Sequence, residues 1–381
     1  MSGLERIFLS LDIVAGPQCP KGRIIYMKKL LKLNGDLTTY LIVIVAYIIF
    51  EILILTGTLS SHMQGLLVPM VYYAIAAVGL NLCVGILGEL SIGHAGFMCV
   101  GAFSSAIFSN AFAETIPSGI RFFLAFVIGI AVSALFGFLI GIPVLRLNGD
   151  YLAIVTLAFG EIIKNVINAL YVGVDSKGLH FSLTSASDMN MEVGGTTVLS
   201  GPMGITGTPR DANFTIAIVV LLISLFIVQN LVKSRDGRAI MAIRDNRIAA
   251  ESVGINITKF KILAFTISAA IAGAAGVLFG HNISALQATS GNFGYNISIL
   301  ILVYVVLGGI GNIKGSVIAA AILYMLPEML RGLSTYRMLI YSIVLIVMML
   351  FNWAPGARAW RSRFLSKFSG LTKRPGRSFK V

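Results

Sequence analysis

The stretch FTIAIVVLLISLFIVQNLV, residues 214–232, decides the class of fold. It contains no charged side chain, and about 20 apolar residues in a helix suffice to cross the hydrocarbon core of a bilayer. Similar runs recur along the chain, in which 57% of the residues are hydrophobic and only 12% are charged. Soluble domains carry about 25% charged residues, so a globule of this size would lack polar surface. The sequence therefore predicts an all-α polytopic membrane protein.

Ten apolar segments of suitable length can be delimited, and each predicts a transmembrane helix. Between the fifth and the sixth lies a stretch of 39 residues, 174–212, which is rich in Gly, Ser and Thr and has no clear periodic element. Loops of this length are usually functional or disordered. The predicted spans are residues 38–56, 66–86, 93–110, 122–145, 151–173, 213–232, 260–281, 294–311, 315–331 and 338–352.

The positive charges are distributed unevenly about these spans. If both termini are cytoplasmic, 23 of the 29 Lys and Arg residues lie on the inner side and five on the outer side, with Lys164 inside a span. This asymmetry is the positive-inside pattern, which an odd number of spans would destroy. The net charge of +13 is thus explained by topology and by contact with anionic membrane lipid. No nucleic-acid partner is expected, because the basic residues gather at the two ends and in short loops.

The stretch GRAIMAIRDNRIAAESVGI, residues 237–255, concentrates charge near the middle of this apolar chain. Six charged residues lie within 236–251, and each would cost about 2.5–3.5 kcal/mol at the centre of a span, so the stretch lies outside the bilayer. Asp236 can cap a first short helix, Asp245 or Asn246 can cap a second, and Gly254 suits the end of the second. We therefore expect a structured element here and not only a loop.

The spacing within this stretch suggests a role in docking. Arg244, Arg247 and Glu251 are spaced i, i+3 and i+7 and so share one helix face, whereas Ile248 and Val253 point elsewhere. Ala249 and Ala250 place small side chains beside this face and leave room for a partner to approach closely. A short helix that docks on another protein is favoured, and a solvated loop that only supplies positive charge is the alternative. The candidate docking residues are Arg244, Asp245, Arg247, Ala249, Ala250, Glu251 and Gly254.

Ionisable residues inside a span are costly and are functional candidates by default. Glu161 and Lys164 lie three residues apart, close enough to pair on one helix face, and His94 lies among glycines in another span. Structural alternatives stay open, because the charge pair could staple two helices and His94 could be a packing residue. Metal binding is not expected, since the four histidines are scattered without ligand spacing. The candidate pathway residues are Asn81, Gly88, Ser91, His94, Glu161 and Lys164.

Two segments of the chain are alike in pattern: VGILGELSIGHAGFMCVGAFSSAI, residues 84–107, and VVLGGIGNIKGSVIAAAILYML, residues 305–326. Each is apolar, breaks at glycines and resumes with small residues. Paired segments of this kind indicate a transport site at broken helices, although the same glycines could simply permit close helix packing. The glycines at 308–311 do not form a phosphate-binding loop, because Lys314 precedes Gly315, whereas the pattern requires a Lys that follows the last glycine. The candidate hinge glycines are Gly93, Gly96, Gly308, Gly309, Gly311 and Gly315.

Four motifs in order resemble the LivM branch of the branched-chain amino acid ABC transporter permeases, and the likeness runs from about residue 66 to 332. In ABC importers the cytoplasmic loop of the permease carries the pattern E-A-A-x-x-x-G. Here IAAESVG, residues 248–254, aligns with it, but Ile248 stands in the position of the Glu. The four motifs are AVGLNLCVGILGELSIGHAGFMCVGAFSSAI, LRLNGDYLAIVTLAFGEIIKNV, GRAIMAIRDNRIAAESVGINITKFKILAFTISAAIAGAAGVLFG and LGGIGNIKGSVIAA.

The resemblance implies a permease subunit of an ATP-driven importer of leucine, isoleucine or valine that works by alternating access in a bacterial inner membrane. It implies a LivH-like permease paralogue as heterodimer partner, two ATP-binding subunits that dock on the coupling helix, and an extracytoplasmic amino-acid-binding protein. The chain itself would bind no cofactor, because the partner subunits would use the ATP. Alternatives are a urea or short-chain amide ABC permease, and an ion-coupled secondary transporter with Glu161, Lys164 and His94 as proton-linked groups.

The domain organisation follows from this topology. Residues 1–37 are a predicted cytoplasmic extension, residues 38–352 the transmembrane permease domain and residues 353–381 a basic cytoplasmic tail. Within the permease domain, residues 174–212 form the outside loop and residues 233–259 the cytoplasmic coupling loop.

Overall fold

The computed structural model describes residues 21–113, 115–145, 150–175, 178–189, 191, 195–333 and 336–353. The chain divides into two compact units, residues 1–58 and 59–381. The predicted N-terminal extension before Lys21, and the predicted basic tail apart from Trp353, lie outside the described residues.

The described part of the first unit is dominated by one helix, α1 (Lys21–Leu55). The predicted boundary between an extension that ends at residue 37 and a span that starts at residue 38 therefore falls inside a continuous helix. Thr56 closes the helix, since its hydroxyl donates to the carbonyl of Ile52 at 3.0 Å.

The second unit contains a long series of helices. The first is α2 (Ser61–Asn81), which continues directly into a π-helical turn, Leu82–Leu87. The others are α3 (His94–Ala111), α4 (Ser118–Val144), α5 (Asp150–Ala169), α6 (Phe214–Lys233), α7 (Arg235–Asp245), α8 (Arg247–Ser252), α9 (Ile257–Gly280), α10 (Ser290–Phe293), α11 (Tyr295–Gly308), α12 (Ile313–Met329) and α13 (Arg337–Trp353).

Seven helical segments among the described residues are long and apolar enough to cross a membrane. The other three predicted spans, 93–110, 315–331 and 338–352, are also helical, but α3 has 18 residues of lower hydropathy, and α12 and α13 have 17 residues each. The chain is therefore a multi-pass helical membrane protein, and the count of ten spans stays a prediction. The seven segments are Leu37–Leu55, Ser61–Leu87, Ser118–Val144, Tyr151–Ala169, Phe214–Lys233, Ile257–Gly280 and Ser290–Gly308.

Helix α2 lies at the centre of the second unit and is buried from Leu67 to Asn81. Its sequence is apolar on all sides, which is typical of a helix surrounded by other helices. Helices α6, α9, α11 and α12 pack against it. Helix α4, in contrast, exposes large apolar side chains such as Phe123 and Phe138, as expected of a surface in contact with lipid.

Small residues bring α3 and α9 into close contact inside this core. A Cβ atom on Gly101 would collide with the carbonyl of Gly273, and a Cβ atom on Gly276 would collide with that of Met98. Apolar side chains gain little from leaving lipid, so membrane helices associate through close backbone packing of this kind. Helices α3 and α9 therefore pack backbone against backbone at these glycines.

The expectation of an all-α chain is corrected by a small amount of β-structure. Strands β1 (Tyr171–Asp175), β2 (Gly178–Ser182) and β3 (Thr196–Ser200) form an antiparallel sheet in the order β2-β1-β3, and β4 (Ile205–Thr206) pairs with β5 (Ala285–Leu286). The span predicted for 151–173 therefore ends at Ala169. Two β-branched residues, Val172 and Val174, favour an extended chain at this point, which hydropathy alone does not reveal.

Candidate functional site

The charged stretch in the middle of the chain folds as a pair of short helices, α7 and α8. The hydroxyl of Ser234 accepts from the backbone N–H of Gly237 at 3.0 Å and caps α7. The side chain of Asn246 accepts from the N–H of Ala249 at 3.0 Å and caps α8. Gly254 has a φ of +82° and ends the pair, because a residue without Cβ adopts this conformation without strain. The predicted structured element is confirmed, but Ser234 and not Asp236 caps its first helix.

The predicted docking residues do not all face outwards. Ala250 is buried with Ile243 and Ile257 in a small core that joins α7, α8 and the start of α9. Two large apolar side chains are exposed here, since Ile248 in α8 is 81% exposed and Val253, the residue after the helix, is 74% exposed. The spacing of charges did not predict that Ile248 and Val253 belong to a docking surface. A large aliphatic side chain within a charged segment is the signal that could have indicated it. Arg247, Ala249, Glu251 and Gly254 are exposed beside them.

Arg244 turns from the helix pair towards the transmembrane bundle. Its Nη1 donates to the carbonyl of Gly85 in the π-helical turn at 2.9 Å. Its Nε and Nη2 donate to the same carboxylate oxygen of Asp245 at 3.0 and 2.8 Å. Gly88, at the end of the turn, lies against the aliphatic part of Arg244, because a Cβ atom there would lie 2.5 Å from Cγ. Arg244 and Asp245 thus hold the helix pair against the first glycine-rich break.

The two glycine-interrupted segments meet at this place. Asn81 is fully buried, and its side-chain oxygen accepts from the N–H of Gly311 at 2.8 Å while its side-chain nitrogen donates to the hydroxyl of Ser316 at 2.8 Å. A Cβ atom on Gly85 would collide with the backbone of Gly311. We call this contact of Asn81, Gly85, Gly311 and Ser316 the glycine junction. The structure therefore joins segments that lie more than 200 residues apart in sequence.

The candidate hinge glycines fall into two kinds. Gly309 and Gly311 have φ values of +98° and +80°, so the loop between α11 and α12 depends on glycine conformations. The other four permit close backbone contact, Gly308 with Gly315, and Gly93 and Gly96 with the backbone of α5. Whether any of them acts as a hinge stays a prediction.

The loop between the π-helical turn and α3 is fixed by polar contacts. Glu89 forms an ion pair with Lys261 of α9, and the N–H of Ile92 donates to the hydroxyl of Thr156 in α5 at 3.1 Å. Ser91 is fully buried, and its hydroxyl has no hydrogen-bond partner among the described residues. This loop therefore interrupts the helical path between α2 and α3 without losing its order.

His94 lies at the start of α3 inside the bundle and is 1% exposed. Its Nε2 lies 3.5 Å from the hydroxyl of Ser268, and its ring packs edge-on against Phe97. This placement favours the packing alternative, and a role in the pathway stays a prediction.

Glu161 and Lys164 form the ion pair that their spacing predicted. The N–H of Tyr295, the first residue of α11, donates to Glu161 Oε1 at 2.8 Å, and Lys164 Nζ donates to the hydroxyl of Ser290 in α10 at 3.0 Å. The pair thus staples α5 to the break between α10 and α11. A quarter of the Glu161 side chain is exposed, against 8% of Lys164. Asn165, one turn further along α5, is also exposed, so α5 presents a polar strip on its outer face.

Among the described residues, no group of three or more His, Cys, Asp or Glu side chains could hold a metal ion.

Comparison with known proteins places the chain. The model of the family described as "Branched-chain amino acid transport system / permease component" matches residues 62–352. The chain belongs to this permease family. The resemblance to the LivM branch that the four motifs indicated is confirmed. No solved structure matches the chain.

Several curated members of this permease family are similar to the chain. The high-affinity branched-chain amino acid transport system permease protein LivM of Salmonella typhimurium is 35% identical over 298 residues, which cover 74% of this chain and 66% of that protein. LivH of the same kind of system in Escherichia coli is 27% identical over 73% of this chain and 88% of its own length. The ribose import permease protein RbsC of Haemophilus influenzae is 26% identical over 73% of this chain and 80% of its own length. The chain thus spans just under two thirds of the length of its LivM relative.

Proposed function

We propose that this chain is the permease subunit of an ATP-driven importer of branched-chain amino acids, with leucine, isoleucine or valine as substrate. The observation that carries the proposal is the capped helix pair α7–α8, which exposes an apolar tip at Ile248 and Val253 and contacts the glycine junction through Arg244. A transporter that needs no ATPase has no use for such a tip. The identity with LivM supports the choice of substrate.

The partners follow from this function. Two ATP-binding subunits supply and hydrolyse the ATP, one of them docking on α8, and a LivH-like permease paralogue completes the transmembrane pathway. An extracytoplasmic binding protein delivers the amino acid to the outer face, where the sheet β2-β1-β3 presents exposed Leu179 and Phe181. The chain lies in a bacterial inner membrane with both termini cytoplasmic, which the distribution of its positive charges supports.

Alternating access assigns roles to the polar groups within the bundle. The polar strip of α5, with Glu161 and Asn165, lines the pathway between this chain and the paralogue, since polar side chains in a bilayer face protein or water. The ion pair of Glu161 and Lys164 holds the broken helix α10–α11 in place beside that pathway. Closure of the ATP-binding subunits moves α8, and the glycine junction changes the angle between α2 and α12.

The experiment is uptake by the complete complex. The chain, its permease paralogue, the ATP-binding subunits and the binding protein are reconstituted in proteoliposomes, and entry of labelled leucine, isoleucine and valine is measured. We expect uptake that requires ATP and stops when the phosphate-loop lysine of the ATP-binding subunits is replaced. Proton-driven uptake without those subunits would establish a secondary transporter. Uptake of urea, an amide or ribose in place of amino acids would overturn the substrate.

A further inference from the structure

We propose that Arg244 is a positioning residue that carries the movement of α7–α8 to the glycine junction, and that it does not serve as a docking contact. The inference rests on the proposed function, because it presupposes that a partner moves α8. It assigns a role within the charged stretch that the spacing of charges did not predict.

Helices α7 and α8 are held together as one rigid unit. Asn246, the single residue between α7 and α8, caps α8 through its side chain. On the inner side, Ile243 of α7 and Ala250 of α8 pack together with Ile257 at the start of α9. A force applied to the exposed tip of α8 therefore moves the end of α7, where Arg244 is located.

The side chain of Arg244 is held in one direction by its hydrogen bonds. Two of its nitrogens donate to one oxygen of Asp245, so the planar guanidinium has a single orientation. The third bond, from Nη1 to the carbonyl of Gly85, is the one that leaves the helix pair. Its acceptor lies in the π-helical turn, where the regular pattern of helix hydrogen bonds is interrupted.

Direct contacts connect Gly85 to the second glycine-interrupted segment. The backbone of Gly85 touches that of Gly311, and Asn81, one turn before Gly85, bonds to both Gly311 and Ser316. A displacement of the π-helical turn therefore reaches α12 through backbone contact at Gly311 and through the buried hydrogen bonds of the Asn81 side chain. Arg244 thus links the cytoplasmic pair to both broken segments.

The matched test compares two arginines of the same helix. Arg244→Met keeps an unbranched aliphatic side chain but removes its donors, whereas Arg238→Met alters a side chain that donates to the carbonyl of Lys233 before α7. In proteoliposomes with all subunits, we expect Arg244→Met to assemble and hydrolyse ATP while uptake falls about ten-fold, as for loss of an ordinary coupling energy. Arg238→Met should retain uptake. Arg244→Lys should recover part of it, because an ammonium can still donate to Gly85.

Each other outcome overturns the proposal. Wild-type uptake per ATP in Arg244→Met would show that the contact is not used, and loss of assembly together with hydrolysis would show that Arg244 only supports the fold. If the unaltered complex transports none of the three amino acids, the proposed function itself fails, which is a separate result. The Arg244 test applies to whichever solute the unaltered complex carries.

A reversible cross-link provides a second test that does not depend on folding of the Met variant. A Cβ atom on Gly88 would lie 3.4 Å from Cβ of Arg244, close to the separation of about 3.5–4.5 Å in disulfides. In a chain with its three cysteines replaced, the pair Gly88→Cys and Arg244→Cys should transport when oxidised and lose uptake on reduction. Arg244→Cys alone, in which Gly88 is unchanged, should not respond to the oxidant. Equal uptake in the oxidised and reduced states would contradict the proposed link.

Discussion

At the scale of single residues, Lys164 shows how this bundle tolerates charge. The ammonium lies in mid-span and is almost completely buried, but it is paired with Glu161 and bonded to Ser290. Removal of one partner from a buried ion pair costs about 3–5 kcal/mol, because an unpaired charge remains in a medium of low dielectric constant. The cost is lower here, since Glu161 is partly exposed.

Glu161→Gln is therefore expected to lower the thermal stability of the purified complex by several degrees. The amide oxygen can still accept from the N–H of Tyr295, so the loss arises from the unpaired charge of Lys164 and not from the contact with α11. Thermal unfolding in detergent measures it, with Asn165→Ala on the exposed strip as control. No change in midpoint would show that Lys164 finds another anion.

The double variant Glu161→Gln with Lys164→Met separates a staple from a pathway role. Without either charge no unpaired ion remains, so stability should largely return, as double-mutant cycles of paired residues lead one to expect. If the pair lines the pathway, uptake stays low although stability is restored. Restored uptake would leave the pair with a structural role only.

At the scale of elements, the proposed function makes helix α8 the docking site of an ATP-binding subunit. Ile248→Glu introduces the residue that the general permease pattern has at this position, yet places a charge where the exposed surface is apolar. We expect weaker docking by more than about ten-fold, because apolar anchors at the centre of an interface are worth about 2 kcal/mol or more.

Co-purification and binding of the ATP-binding subunits to the permease pair measure this effect. Ser252→Ala is the control, since that hydroxyl bonds to the carbonyl of Ala249 within the same helix. Undiminished docking of Ile248→Glu would assign the contact to the flanking charges, Arg247 and Glu251.

The elements also show what sequence patterns can predict. Each of the ten apolar runs coincides with a helix over most of its length, because hydrophobic length determines helices in a bilayer, but the run 151–173 ends in strand β1. The cost of burying charge predicted that α7–α8 lies outside the bilayer. Neither signal contains the direction of a side chain, so Arg244 was grouped with the docking residues. Pattern likeness paired the segments 84–107 and 305–326, but their contact at Gly85 and Gly311 arises from tertiary packing.

At the scale of the whole molecule, the number of spans decides where every loop lies. Within the part of the chain that the structure describes, seven helical segments meet the length and hydropathy expected of a span, while α3, α12 and α13 fall just short. Small polar residues inside a bundle lower the hydropathy of a helix without preventing it from crossing, because they face other helices and not lipid. Residues of α3 from His94 to Phe103 are buried in this way.

Ten spans with both termini inside predict the side of each loop, and single cysteines test it. In a chain without Cys19, Cys83 and Cys99, we expect Leu183→Cys, Thr115→Cys and Tyr336→Cys to react with a membrane-impermeant maleimide in intact cells, since all three positions are exposed. Arg235→Cys, at the start of α7, should react only after permeabilisation. Protection of residue 115 would show that α3 does not cross, and protection of residue 336 would show the same for α12. Protection of residue 183 together with labelling of residue 235 would invert the molecule and remove α8 from the ATP-binding subunits.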